Sequence, residues 1–246
     1  MVHTIIFDVD GVLVDSPHEQ AWGDTLADLM ENDWPELRVA TGFKPSKYTS
    51  VLYQREVAGK PRMDGARALL RAFGLPDDDE HAHLLADRKQ TAIADLIRRG
   101  AFRAFDDAIT FLLKAKASGI KIAAASSSKN ANAMMAKVHL APFGLPKELD
   151  LKPDVTLLDV LDTNVSGRDI RPGKPDPAMF LTAAKEAGVD PAECVVVEDS
   201  PAGVVAGKAA GSRCIGVARL NDEAFLQEAK ADWVVTSLDS LTPAEL

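Results

Sequence analysis

Residues 5–15 read Ile5-Ile6-Phe7-Asp8-Val9-Asp10-Gly11-Val12-Leu13-Val14-Asp15. The opening apolar run predicts a short strand buried on both faces of a parallel sheet. It breaks off in Asp8-Val9-Asp10-Gly11. Side chains two apart on a strand share a face, so Asp8 and Asp10 are expected to point the same way at its carboxyl end. Gly11 permits a sharp turn directly afterwards. Unpaired buried carboxylates are costly, so a cation, a substrate or both are expected at that tip. The same residues also fit an ordinary strand-to-turn transition, because Asp and Gly are common in turns. The rest of the chain decides between the two readings.

Downstream of about residue 102 the pattern alternates between helix and buried strand. Helices are predicted at Ala108–Ser118, Asn130–His139, Pro177–Ala187 and Ala202–Ala210, and strands at Ile120–Ala125, Cys194–Val197, Cys214–Val217 and Trp233–Thr236. Such alternation implies an α/β fold, a doubly wound, Rossmann-like parallel sheet. Residues 17–102 differ: they carry helical patterns and almost no β-like runs. Helices are predicted there at His18–Met30, with Ser16 as N-cap and Pro17 at the first helical position, and at Pro45–Ala58, Arg62–Phe73 and Glu80–Arg99. Glu31–Gly42 reads as irregular. The first strand needs partners the helical segment does not supply. Residues 1–16 and 103–246 are therefore expected to form one α/β core, with 17–102 as an all-helical insertion. Ligands of such sheets bind beyond the carboxyl ends of the strands, where Asp8 and Asp10 lie.

The chain has 246 residues, 46% hydrophobic and 26% charged, as in ordinary globular proteins. No apolar run is long enough for a membrane helix, and the N-terminus enters the first strand without a signal-peptide core. Cys194 and Cys214 each lie beside a β-like apolar run and read as core residues of a cytoplasmic, reduced protein. A formal net charge of −9 argues against general binding to nucleic acid or anionic membranes. A phosphorylated small molecule remains open, because charges are screened over about 8 Å at physiological salt. A monomer is expected.

The other strand ends carry chemistry as well. The run after Ile120–Ala125 is Ser126-Ser127-Ser128-Lys129-Asn130, hydroxyls, an ammonium and an amide ahead of a helix. This suits anion binding and equally an N-cap cluster. Next comes Arg171-Pro172-Gly173-Lys174-Pro175-Asp176-Pro177, a stiff loop able to aim Lys174. Finally Val195-Val196-Val197 ends in Glu198-Asp199-Ser200. Two acidic strand ends in one sheet point to a shared hard cation, and Mg2+ is the usual choice for phosphate chemistry.

Asp8-Val9-Asp10-Gly11, Ser126, Lys174 and Glu198-Asp199, in this order and each at a strand end, resemble the four motifs of the haloacid dehalogenase (HAD) superfamily. The resemblance covers essentially the whole chain, with the helical insertion in the position of a C1-type cap. Within the superfamily it is greatest for the β-phosphoglucomutase group and its sugar-phosphate phosphatase relatives. Ala124–Asn130 is similar to that group's second motif. Gly59-Lys60-Pro61-Arg62-Met63-Asp64 looks like its substrate-specificity loop, Arg88-Lys89 like its basic pair, and His18 like its early cap histidine. Relative to the compact mutase pattern there are extra residues at 31–45 and around 144–168.

The resemblance implies that Asp8 is a nucleophile forming an aspartyl-phosphate and that Asp10 is the general acid/base. It implies that Ser126 and Lys174 hold the transferring phosphoryl group, and that Asp8, Asp10, Glu198 and Asp199 bind Mg2+. It assigns Gly59, Arg62, Lys89, His18, Ser127, Ser128, Lys129 and Asn130 to substrate binding. The expected reaction is conversion of glucose 1-phosphate to glucose 6-phosphate, with sugar-phosphate hydrolysis as the alternative. A haloacid dehalogenase branch is disfavoured by Asp10, the second aspartate that those enzymes lack. A phosphonate hydrolase would need a Schiff-base lysine in the cap, such as Lys60 or Lys89. A catalytically silent binding module is disfavoured because every charged group the chemistry needs is present.

Overall fold

The computed structural model describes residues 2–246. The chain divides into two compact units, Met1–Asp15 with Arg103–Leu246, and Ser16–Phe102. The chain begins with β1 (Thr4–Phe7) and β2 (Val14–Asp15). Then come the helices of the second unit, α1 (His18–Asn32), α2 (Pro35–Thr41), α3 (Ser50–Glu56), α4 (Arg62–Ala72) and α5 (Asp79–Arg98). The first unit resumes with β3 (Arg103–Ala104), α6 (Asp106–Ala117), β4 (Lys121–Ala124), α7 (Ala131–Met135) and β5 (Thr163–Asn164). It closes with α8 (Ala178–Ala187), β6 (Cys194–Glu198), α9 (Pro201–Ala209), β7 (Arg213–Val217), α10 (Glu223–Glu228) and β8 (Trp233–Val235).

The main sheet runs β5-β4-β1-β6-β7-β8, all parallel. β1 is central, with Phe7 beside Ala124 of β4 and Val197 of β6. A strand covered on both faces needs apolar side chains at every position, which is why the 5–7 and 194–197 runs do not alternate. On one face Ile6, Val196 and Cys214 pack with Phe180 of α8 and Val204 of α9. On the other, Phe7 meets Phe111 of α6 edge-on, with ring centroids 6.3 Å apart. Both cysteines are buried and free. Among the described residues no helix is long and apolar enough to cross a membrane.

The helical unit has its own core of Trp22, Leu26, Leu29, Met30, Leu69, Leu70 and Leu85. Its helices depart from expectation in four places. Residues 35–41 form α2 rather than an irregular segment; Pro35 opens it and Gly42 closes it in the left-handed conformation, the usual proline and glycine signals. The single helix expected over 45–58 is a 3-10 turn, Pro45–Lys47, followed by α3. There Thr49 caps the new start by accepting the Leu52 N–H at 3.2 Å. Pro17 is the N-cap residue of α1 rather than its first helical residue. α5 begins at Asp79, one residue early, with Asp78 accepting the His81 N–H at 3.0 Å.

Two differences in the α/β unit matter for the site. α7 stops at Met135, well short of His139, which instead bridges Thr156. The strand β5 escapes sequence reading because it has two polar residues and no apolar run; it pairs with Ala123 and Ala124 of β4.

Arg219, after β7, ties several of these segments together. It makes a paired contact with Asp107 of α6 at 2.9 and 3.0 Å, donates to the Val12 carbonyl at 3.4 Å, and lies 4.0 Å from the Phe105 ring centroid. Asp107 also accepts the Leu238 N–H at 2.8 Å. Burial pushes the Asp107 carboxyl up, but these donors outweigh it and hold it below the usual carboxylate range. A depressed carboxyl contributes stability above its unfolded-state pKa, and that stability is lost as pH falls through the folded value. Asp107→Asn is accordingly expected to destabilise the protein by roughly 2 kcal/mol at neutral pH. The loss should shrink in acid, as chemical denaturation at several pH values would read.

Candidate active site

The carboxyl edge of the sheet gathers charge from three separate stretches. Asp8 continues the β1 ladder by donating its N–H to the Val197 carbonyl at 2.9 Å. Lys174 enters from the proline-rich loop ahead of α8. Its ammonium is fully buried, 2.6 Å from Asp8 Oδ1 and 2.5 Å from Glu198 Oε1, with the Phe180 ring centroid 5.1 Å away. Burial alone would lower its proton affinity, but Asp8 and Glu198 raise it more, so Lys174 stays charged.

Glu198, the last residue of β6, is wholly enclosed. While Oε1 takes Lys174, Oε2 accepts the Asp199 and Ser200 N–H groups, both at 3.1 Å, and the Ser200 hydroxyl at 2.9 Å. Ser200 in turn caps α9 by accepting the Gly203 N–H at 3.1 Å. Glycine is required at 203, since a Cβ there would stand 1.9 Å from the Glu198 carboxyl carbon. Both Glu198 oxygens are thus engaged by protein groups, and the carboxylate holds Lys174 in place.

Asp199 lies against the turn after β1: a side chain at Gly11, whose φ is +83°, would meet Asp199 Oδ2 at 1.9 Å. The glycine therefore serves both the turn and the approach of the second acidic strand end. Asp10 receives the Ser126 hydroxyl at 3.3 Å. Ser126, 2% exposed, also accepts the Ser128 N–H at 3.2 Å, and Ser128 Oγ accepts that of Asn130 at 3.2 Å. The serine run is therefore a ladder of short turns, and the anion-binding and capping readings of it are compatible. Lys129 reaches across to the Gly167 carbonyl at 2.8 Å, which places it on the loop following β5.

Asp8, Asp10, Ser126, Lys174, Glu198 and Asp199, spread over most of the sequence, share this one edge. Ser127 follows Ser126 in the same loop, and the remaining candidates, His18, Gly59, Arg62 and Lys89, belong to the helical unit. His18 and Lys89 meet, Nδ1 to Nζ at 2.5 Å, with the ammonium 4.9 Å from the Trp22 ring centroid. Lys89 is only 3% exposed, so it packs with His18 rather than standing open to solvent. Its neighbour Arg88 is held by Asp33 at 2.6 and 2.7 Å. Arg62 begins α4 with a partly exposed guanidinium, 3.8 Å from Asp87. Gly59 has a φ of +74° in the turn that leads to it. Two residues escaped sequence reasoning. Ser200 both caps α9 and orients Glu198. Asp222, in the polar run Leu220-Asn221-Asp222-Glu223, is buried.

The edge carries more negative charge than Lys174 neutralises. Burial, then Glu198 and Asp10, push the Asp8 carboxyl up to about 7 against the pull of Lys174. Asp199 is raised too, by burial first and then by Glu198 and Asp8. Among the described residues no three His, Cys, Asp or Glu side chains form a ready-made metal cage. Mg2+ does not need one: it is commonly held by one or two carboxylates, with water and substrate phosphate completing its shell. Two crowded, buried carboxylates in excess of the available cation fit such an ion.

This edge, with acid, base and hydroxyl groups at the strand ends of a doubly wound parallel sheet, defines an enzyme of the haloacid dehalogenase type. Residues 2–211 match the family model for haloacid dehalogenase-like hydrolase, and the chain belongs to that family. The β-phosphoglucomutase of Mycobacterium bovis is 32% identical over 255 aligned positions, covering 98% of this chain and 91% of that protein. A phosphorylated carbohydrates phosphatase of Thermotoga maritima is 30% identical, covering 94% and 92% respectively. Among solved structures, an archaeal β-phosphoglucomutase from Pyrococcus sp. strain ST 04 is similar with a TM-score of 0.66 and 31% identity, over 98% of this chain and 95% of that one.

The crowding has a measurable consequence. A carboxyl whose pKa is raised on folding gives stability that is full below its unfolded value and is lost as pH rises through the folded one. In EDTA the protein should therefore become less stable between the ordinary Asp value of 3.8 and about 7, and Asp8→Asn should flatten that fall. Urea denaturation across this range would test it; an identical slope in wild type and variant would contradict it.

Proposed function

We propose that the protein catalyses Mg2+-dependent phosphoryl transfer on a small sugar phosphate through an aspartyl-phosphate on Asp8, in the manner of a β-phosphoglucomutase. The observation that carries this reading is the buried Lys174 ammonium, which bridges Asp8 and Glu198 at 2.6 and 2.5 Å. An ammonium in that position lowers the repulsion between a carboxylate nucleophile and an incoming phosphate dianion.

In the first half-reaction an Asp8 oxygen forms a bond to phosphorus as the bond to the departing sugar oxygen breaks. Asp10 gives that oxygen its proton, with the Ser126 hydroxyl fixing the orientation of Asp10. Lys174 and Ser126 stabilise charge on the equatorial oxygens of the phosphoryl group. Glu198 keeps Lys174 aimed, and Ser200 keeps Glu198 in place. The Asp8 and Asp199 carboxylates and the Asp10 backbone carbonyl would hold Mg2+, which supplies further positive charge to the transferring group. In the second half-reaction Asp10 removes a proton from an attacking sugar hydroxyl, which takes the phosphoryl group from Asp8.

The mutase reading draws on the similarity to two β-phosphoglucomutases at 32% and 31% identity. It also draws on Arg62, whose guanidinium is only loosely tied to Asp87 and remains available to a second phosphate. The phosphatase reading, in which water attacks Asp8, draws on the 30% identity to the phosphorylated carbohydrates phosphatase. The two separate in one assay. With Mg2+, β-glucose 1-phosphate and a trace of sugar bisphosphate, phosphorus NMR should show glucose 6-phosphate accumulating. Accumulation of inorganic phosphate instead would select the phosphatase.

Asp8→Asn should abolish turnover under either reading, and residual activity would contradict a covalent route. Lys174→Met should lower kcat by about 10²–10³-fold, the usual effect of deleting one transition-state donor. Arg62→Ala should impair turnover of hexose phosphate far more than that of p-nitrophenyl phosphate; equal losses would remove Arg62 from substrate recognition.

A further inference from the structure

The helical unit holds a cavity of about 600 Å³, walled by α3, by α4 and by Lys60 from the turn that joins them. None of His18, Gly59, Arg62 and Lys89 lines it, so it is separate from the substrate contacts considered above. Its wall is of two kinds. Val51, Leu52 and Ala68 make an apolar part, and Val51 is 54% exposed, an aliphatic side chain left in water. The charged part sets Arg55, Lys60 and Arg71 against one carboxylate, Glu56.

The electrostatics of that charged part call for an anion. The Lys60 ammonium gives a hydrogen bond to the Glu56 backbone carbonyl at 2.5 Å, a partner that carries no full charge. Burial lowers the proton affinity of this ammonium, and together with the Arg71 charge it outweighs the pull of Glu56 and Asp64. Arg71 meets Asp77 at 2.8 Å through one guanidinium nitrogen, a solvent-exposed pair of the kind that adds little stability. A guanidinium carries five N–H donors in a fork that suits phosphate, so that pair does not exhaust it. A concave wall, largely apolar and with a few polar groups converging on it, is the usual form of a small-molecule site.

We propose that this cavity is an accessory site for a small organic dianion, its phosphate or phosphonate head held by Lys60 and Arg71 and its apolar body resting on Val51, Leu52 and Ala68. Three cations facing one carboxylate favour a doubly charged head. The apolar wall favours an organic molecule over a bare ion, since covering it removes hydrocarbon from water. The site lies wholly within residues 16–102 and does not depend on the Mg2+ chemistry of Asp8.

The probe is phenylphosphonate, which has no ester bond to cleave, titrated above neutral pH into the 15N-labelled full chain and read by 1H–15N NMR. The amides of Leu52, Lys60 and Arg71 should shift and saturate. Arg71→Gln should raise the dissociation constant at those amides about 10-fold, the effect of losing one charge-assisted hydrogen bond. Ala72→Phe, which adds a ring to the cavity wall at an exposed helix position, should abolish their shifts. Any shifts at Ser126 and Lys174, which would report binding at the catalytic edge, should be the same in all three proteins. A wild-type titration that leaves residues 52–71 unmoved would overturn the proposal, as would curves for both variants that superimpose on wild type. Inorganic phosphate binding there as tightly as phenylphosphonate would overturn it too, because the apolar wall would then play no part.

Discussion

One ammonium group, removed from water and held between two acids, is the constraint on which the core depends. Burying an ion costs several kcal/mol even after relaxation, and Lys174 recovers this only through close contacts with Asp8 and Glu198. Those contacts require β1 and β6 to be neighbours in register and the loop before α8 to end at one spot. The order of strands in the middle of the sheet is what meets the requirement. Ser200 and Gly203 extend it into α9, one by hydrogen bonding and one by having no side chain.

Stability and chemistry pull in opposite directions at this edge. A well-packed apolar cluster of the same volume is often no less stable than a buried ion pair, and here the acids outnumber the cation. The crowding of Asp8, Asp10, Glu198 and Asp199 is difficult to account for as architecture. It is readily accounted for if the partners that complete it, a divalent ion and a phosphoryl group, come and go with turnover. Raised carboxyls such as those of Asp8 and Asp199 are characteristic of functional sites.

The central strands were legible in the sequence because full burial leaves unbroken apolar runs, as in Ile5–Phe7 and Cys194–Val197. The charged tips were legible because a hydrophobic strand ending in carboxylates contradicts the surrounding pattern. What escaped was set by tertiary context. β5 is two polar residues that become a strand only through the edge of β4. α2 has no buried side chain to mark it, so its amphipathic signal is absent although its proline and glycine boundaries are clear. The roles of Glu198 and Lys89 depended on partners 24 and 71 residues away, which no local pattern encodes. Asp222 was hidden because a run of polar residues looks the same whether or not the fold later covers it.

The way the chain leaves and re-enters the α/β core has a separate consequence. The departing strand β2 and the returning strand β3 lie antiparallel, Val14 opposite Ala104 and Asp15 opposite Arg103, with an ion pair at 3.0 Å between the latter two. Seen from the sheet, everything between them is a hairpin loop with its ends already joined. Lengthening a closed loop costs entropy only logarithmically. The doorway thus makes the sheet nearly indifferent to what is threaded through it. Evolution can exchange one helical insertion for another while the α/β framework continues to fold unchanged.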